Sequence, residues 1–320
     1  MHLKSVDLLL TFECPSQCKH CSYRAGPHRK GIMELEAVKD WLKTLADTQP
    51  LESVTIHGGE PFLYLDLLAA IIEYVKDLNI EKRWVITNGY WAERDEDSKR
   101  ILSKLKNFGL RGITFSVDAF HQEYIPFDCV RRGIDSAVAV GFDTITVDSY
   151  YLAKNRENEY DKTTMHCQEE LKSIHGVVFS SYNADFEGRA ADMLIQHATL
   201  RDEIPGGVCH LPFWIGGDLR NPETVEIDHA GNVTLCPGLC IGNAKSVPLQ
   251  KIIEDYNYRK NPIIQVIADK GPGGLYSMKE IEAKDGILFH GECHACYLAR
   301  KTLRHRYPSF LCPESCYVED

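Results

Sequence analysis

Three cysteines at C-x3-C-x2-C spacing, Cys14, Cys18 and Cys21 in "CPSQCKHC", follow the first apolar run of the chain, and the next cysteine is Cys129. Three thiolates on one short loop can hold three corners of a 4Fe-4S cluster and leave one iron open. They can equally bind zinc with a fourth ligand such as His20 or His28. Downstream, "HGGEP" at 57–61 offers Gly58 and Gly59, where backbone can approach a ligand closely, and Glu60, a carboxylate suited to an ammonium group. Asn88 in "ITNGYW" and Ser116, Asp118 and His121 in "FSVDAFHQEY" follow two further strand candidates. Alternation along a strand would aim Ser116 and Asp118 to one side as a pair of hydrogen-bonding groups.

These residues need elements to position them, and the apolar pattern supplies a repeating set. Strand-like runs occur at Val6–Phe12, Ser53–Gly58, Arg83–Asn88, Gly112–Val117, Asp143–Tyr151 and Gly176–Tyr182. Helical periodicity lies between them: Leu35, Val38, Trp41, Leu42 and Leu45 share one face, as do Leu102 and Leu105 before a stop at Gly109. Alternating strands and helices predict a parallel sheet with the active face at the carboxyl ends of the strands. Six units are too few for a closed eightfold barrel, so the expected fold is α/β, an open, partial (β/α)6 TIM-type barrel over 1–200. After about residue 200 the sequence becomes rich in Gly and Pro, and "TVEIDHAGNVTLC", 224–236, reads as a β-hairpin. Seven cysteines between Cys209 and Cys316 mark 201–320 as a second, cysteine-rich domain.

A net charge of -10 and a pI near 5.7 argue against a nucleic-acid surface, which needs clustered Lys and Arg. The one dense basic run, Arg300–Tyr307, reads as a solvated helix face. The N-terminal apolar run is short and carries Asp7, so no signal peptide is read, and nowhere do about 18 apolar residues run uninterrupted. A cytoplasmic location, with no membrane partner, is the expectation. There, 12 cysteines point to metal or redox chemistry rather than disulfides.

The cysteine loop after strand one, coupled to "HGGEP" after strand two, resembles the radical S-adenosylmethionine enzymes. The resemblance implies that Cys14, Cys18 and Cys21 ligate a 4Fe-4S cluster whose open iron chelates S-adenosylmethionine. Gly58, Gly59 and Glu60 would contact the methionyl amine, and Asn88, Ser116 and Asp118 would lie near the cofactor, with Ser116 and Asp118 on ribose hydroxyls. Arg189, after the sixth strand, would meet a carboxylate of cofactor or substrate. Reductive cleavage to a 5′-deoxyadenosyl radical and hydrogen abstraction from a substrate follow, with an electron donor such as flavodoxin or ferredoxin. The second domain looks like the auxiliary-cluster module called twitch, a short form of SPASM, which assigns Cys209, Cys236, Cys293 and Cys296 to a second 4Fe-4S cluster. Cys312 and Cys316 are left over as candidate further ligands, and Cys129 and Cys167 read as small buried hydrophobes.

The layout is most similar to peptide-modifying members of the epimerase type, so a ribosomally made peptide is the expected substrate. Those enzymes carry a hydrogen-donating cysteine directly after the hairpin ligand, where this chain has Pro237. Cys240 is the candidate for that role. If it does not serve, an outcome that removes electrons, such as a cross-link, gains weight. A first strand near Val6 leaves no room ahead of it for a leader-peptide domain, so a peptide substrate is expected to bind across the two domains or through a separate leader-binding partner. Two readings stand beside this one: radical dehydrogenation of a small metabolite, and a non-catalytic zinc-binding interaction protein.

Overall fold

The computed structural model describes residues 1–209, 216–281 and 286–318. Part of the Gly- and Pro-rich stretch, 210–215, lies outside the described residues.

Six parallel strands run in chain order through one sheet: β1 (Ser5–Thr11), β2 (Ser53–Gly58), β3 (Lys82–Thr87), β4 (Gly112–Ser116), β5 (Thr144–Tyr151) and β6 (Val177–Asn183). The helices between them are α1 (Leu35–Thr48), α2 (Leu65–Asp77), α3 (Asp95–Phe108), the short α4 (Ala119–Gln122), α5 (Phe127–Val140) and α6 (Glu159–Leu171). Each expected strand is therefore present, with ends within a residue of the apolar runs. The expected helical faces are the buried ones: Val38, Trp41, Leu42 and Leu45 on α1, and Leu102 and Leu105 on α3. α3 ends at Gly109 with a φ of 117°, a left-handed conformation that a side chain would strain. This is an open (β/α)6 barrel of the TIM type.

Beyond it come α7 (Arg189–Met193), a two-residue pair β7 (Gly217–Asp218) and β8 (Asn221–Pro222), then β9 (Thr224–Asp228), β10 (Asn232–Cys236) and β11 (Leu239–Asn243). Helices α8 (Leu249–Glu254), α9 (Pro262–Lys270) and α10 (Glu292–Leu303) follow. The hairpin predicted at 224–236 is β9–β10, with β11 added as a third antiparallel strand. It does not form a sheet of its own. β9 pairs in parallel with β1 from Ser5↔Thr224 to Leu9↔Asp228, so the described residues form one nine-stranded sheet in the order β11-β10-β9-β1-β2-β3-β4-β5-β6. The sheet thus runs across the boundary expected near residue 200. The outer edge of β1 is covered by β9, the first strand of the hairpin whose second strand, β10, ends in Cys236.

Candidate functional site

The cysteine loop is built by backbone. Cys14 N–H donates to Gly26 O at 3.1 Å, Cys21 N–H to Cys18 O at 3.1 Å, and Gly26 N–H back to Phe12 O at 3.1 Å, closing 14–26 over the end of β1. Arg189 locks it: its two terminal nitrogens donate to Cys18 O and Ala25 O, each at 3.0 Å, and its own N–H donates to Cys21 O at 3.0 Å. Arg189 is buried. The guanidinium therefore holds the loop, whereas the sequence placed it on a carboxylate of cofactor or substrate.

Gly58 and Gly59 serve the same loop. A Cβ on Gly59 would sit 2.1 Å from Glu13 O, and one on Gly58, whose φ is +121°, would sit 2.5 Å from Thr11 O. The close approach these glycines allow is to the chain's own backbone, and Gly59 N–H donates to Thr11 O at 2.7 Å. Glu60, expected to face an ammonium group, is fully buried. It accepts from Phe62 N–H (3.1 Å) and the Thr87 hydroxyl (2.9 Å) on one oxygen and from Asn88 N–H (2.8 Å) on the other. Burial pushes its carboxyl up to about 7, against the pull of those three donors.

A small cavity of about 110 Å³ opens over the loop. Cys14, Cys18 and Cys21 line it together with Gly58, Gly59, Asn88 and Ser116, so seven of the predicted residues meet at one place. Asp118 does not line it. β4 ends at Ser116, and Asp118 caps α4, accepting from Phe120 N–H and His121 N–H, both at 3.0 Å, and pairing with the His121 ring at 2.9 Å. Burial would push Asp118 up, but facing His121 and His20 hold it down at about 2. The period-two alternation that put Ser116 and Asp118 side by side stops one residue too soon. His20, His57 and His121 take part in the wall instead.

The donor set fits an iron-sulfur cluster. Ser16 N–H points at Cys14 Sγ (3.4 Å), Ala25 N–H at Cys21 Sγ (3.4 Å) and the Asn88 amide at Cys14 Sγ (3.5 Å). Such N–H···S contacts stabilise thiolate character. Without metal, burial pushes the Cys14 thiol up to about 12, and Cys18 well above its ordinary value with the neighbouring thiols adding to it. Three thiols on one loop, two of them with N–H groups aimed at their sulfurs, are a donor set of the type that binds a cluster.

A second, larger cavity of about 860 Å³ joins the ends of β5 and β6 to the C-terminal cysteines. Cys209, Cys236, Cys293 and Cys296 all line it, Cys236 from the end of β10 and the C-x2-C pair from the first turns of α10. Burial is the chief reason the Cys209 thiol is pushed up to about 12. The thiols of Cys236, Cys293 and Cys296 move the same way, burial first and acidic or thiol neighbours after it. Asp185 and Glu187, just past β6, face them.

Arg300 corrects the sequence reading. Its run was expected to be solvated, yet its side chain is 1% exposed. It donates to Pro237 O at 2.7 Å and lies 3.5 Å from Glu187 Oε2. The missed signal is helical: Cys293, Cys296 and Arg300 are spaced i, i+3 and i+7 and share one face of α10. Cys240 is buried on β11, donates to Gly242 O at 3.1 Å and hydrogen-bonds with Cys312; it lines neither cavity. Cys167 is buried and Cys129 half-buried, as expected of small hydrophobes.

The family model of the Radical SAM superfamily matches residues 8–166. YydG of Bacillus subtilis (strain 168), named for peptide biosynthesis, is 22% identical over 183 residues, 57% of this chain and 55% of that protein. GTP 3',8-cyclase of Haemophilus influenzae (strain PittGG) is 28% identical over 166 residues, 48% of this chain and 47% of the enzyme. The chain thus spans about half the length of the curated relatives it matches. Two solved structures share the fold at 12% identity. BtrN in complex with AdoMet and 2-DOIA has a TM-score of 0.51 over 90% of this chain and 98% of its own. Native anSMEcpe with bound AdoMet has a TM-score of 0.53 over 94% and 96%. With a barrel whose first loop carries the three thiols and a family match that spans this loop, residues 8–166 form a domain of the Radical SAM superfamily.

Proposed function

We propose that the chain is a peptide-modifying radical enzyme with an auxiliary cluster, and that it forms an oxidised product such as a carbon-sulfur or carbon-carbon cross-link. Cys14, Cys18 and Cys21 would hold the catalytic 4Fe-4S cluster, and Cys209, Cys236, Cys293 and Cys296 the second. When bound, cluster and S-adenosylmethionine would supply a 5′-deoxyadenosyl radical able to take one hydrogen atom from the substrate, and the second electron of the oxidation would pass to the auxiliary cluster with its proton released to solvent. The chain's own part is positioning. Arg189 fixes the loop, the Asn88 amide hydrogen-bonds Cys14, and Ser116 offers a hydroxyl to a ligand in the small cavity. Arg300 places a buried positive charge beside the four C-terminal thiols. An electron donor such as flavodoxin or ferredoxin completes the system.

The observation that carries this reading is the 860 Å³ cavity that spans from the barrel strands to the four thiols. It is far larger than a cluster requires and falls in the range of an organic ligand of several residues. Cys240, placed outside it, supports an oxidative outcome over epimerisation. The kinship with YydG favours a peptide over a small metabolite.

Iron per chain on anaerobically purified protein tests the cofactor part: about eight irons, falling to about four on changing Cys14, Cys18 and Cys21 to Ala, is expected. Zinc in place of iron would refute it. For the product, a precursor peptide encoded beside the gene is incubated with S-adenosylmethionine and dithionite in D2O and weighed. A product lighter by two hydrogens is expected. One that has only gained a deuterium would mean epimerisation, and no change with turnover of a metabolite would mean a small-molecule dehydrogenase.

A further inference from the structure

Three further ligand-type side chains converge inside the barrel. One donor atom each of Asp7 on β1, His57 on β2 and Glu226 on β9 lie within 4.8 Å of one another. Register explains the meeting. Asp7 stands opposite Glu226 in the parallel β1–β9 pair, and His57 opposite Leu9, two residues along β1 from Asp7 and so on the same face.

Asp7 and Glu226 are both buried, and Asp7 is pushed up to about 8 by that burial and then by the charge of Glu226. Two facing carboxyl groups at this depth require either a retained proton or a cation. The surroundings are arranged for the cation. Both oxygens of Glu226 are oriented by hydroxyl donors, one by Tyr23 and the other by Thr234 at 3.2 Å, the outer-shell pattern that aims a ligating carboxylate. An imidazole joins the two carboxylates, which makes the donor set one nitrogen and two oxygens.

We propose that Asp7, His57 and Glu226 bind a divalent first-row transition cation. Two carboxylates and one imidazole suit Mn2+, Fe2+ or Zn2+ and lack the thiol preferred by softer ions. His57 also lines the cavity over the cysteine loop whereas Asp7 and Glu226 do not, so the ion would tie β1, β2 and β9 together behind the wall that His57 forms. This site is independent of which substrate the enzyme modifies.

The test uses Mn2+ as the probe, because the cluster thiols compete for zinc but hold Mn2+ weakly. Mn2+ is titrated anaerobically into the cluster-loaded protein, and free Mn2+ is followed by its six-line electron paramagnetic resonance signal. The wild type is expected to take up one Mn2+ per chain and to melt at a higher temperature with it. The double variant Asp7→Asn, Glu226→Gln is expected to lose affinity by at least about tenfold and to lose the thermal shift, with its iron content unchanged. Its neutral amides are isosteric with the acids and relieve a buried like-charge pair, and Glu226→Gln alone gives a milder variant should the double one misfold. No Mn2+ uptake by the wild type at millimolar concentration would overturn the proposal and leave the carboxyls sharing a proton. Equal uptake by the variants would also overturn it.

Discussion

Arg300→Met separates a buried electrostatic role from mere packing. Methionine keeps the apolar stem of the side chain but removes the guanidinium that donates to Pro237 O at 2.7 Å and stands 3.5 Å from Glu187. Two losses follow. The Pro237 carbonyl loses a buried donor, at about 1–3 kcal/mol. Glu187, whose side chain is 10% exposed, loses the charge beside it, and a buried carboxylate left unpaired costs about 3–5 kcal/mol. The second loss has a limit, because the carboxyl can protonate instead. Burial already pushes Glu187 up to about 7 while Arg300 pulls it down, so removing Arg300 raises it further. The sign then follows. A carboxyl raised in the folded state favours folding below its unfolded pKa and loses that contribution as pH rises through the folded value. The Arg300→Met penalty must therefore be larger at pH 9 than at pH 6. The two losses together come to about 4–8 kcal/mol, so at roughly 2 °C per kcal/mol for a chain of this size the melting temperature should fall by about 8–16 °C at pH 9 and by clearly less at pH 6. Thermal unfolding followed by circular dichroism, on cluster-loaded and cluster-free protein in parallel, reads both. Adding Glu187→Gln to Arg300→Met should remove the pH dependence. An equal shift at both pH values, or no rescue by Glu187→Gln, would refute the assignment of the buried pair.

Gly59→Ala puts a methyl group 2.1 Å from Glu13 O, a backbone atom that cannot move without opening the cysteine loop; iron content and 5′-deoxyadenosine formation should both fall at least tenfold, and wild-type levels of either would disprove the contact. Arg189→Met removes the donors to Cys18 O and Ala25 O, so cluster occupancy measured by iron should drop while Arg189→Lys restores part of it. Asn88→Ala deletes a hydrogen bond to Cys14 Sγ; a redox titration should find the catalytic cluster shifted to a more negative potential, since N–H···S bonds stabilise the reduced state. Cys240→Ala should leave product formation unchanged, because Cys240 lines neither cavity, whereas loss of product with intact iron would return it to the hydrogen-donor role.

What the sequence revealed was local. β2 was legible to the residue because its apolar alternation and its following glycines are contiguous, and α1 because five apolar side chains repeat at helical spacing. The cysteine loop was legible for the same reason: its chemistry sits within eight residues. What stayed hidden depended on partners far along the chain. Nothing in 224–228 says that it lies beside β1, since that pairing rests on the shape of a free strand edge. Arg300 was misread because a run of cations looks solvated until the helix face it shares with Cys293 and Cys296 is considered. Asp118 was misplaced by a strand that ends at Ser116, and Arg189 because the contacts by which it holds the cysteine loop are to backbone carbonyls, which carry no sequence signal.

The parallel union of β1 with β9 bears on how the molecule is made. Lys4 and Glu223, at the foot of that pair, are separated by 219 residues, and Lys4 N–H donates to Glu223 O at 2.8 Å. A chain emerging from the ribosome at about 5–20 residues per second makes β1 first and waits on the order of ten seconds or more for the strand that flanks it. During that interval the barrel strands can pair among themselves, but the outer edge of β1 stays open to any other strand, its own or a neighbour's. Synthesis of the hairpin closes that edge and delivers Cys236 in the same movement, so protection from mispairing comes before the second thiol set is complete, which waits for Cys293 and Cys296 on α10.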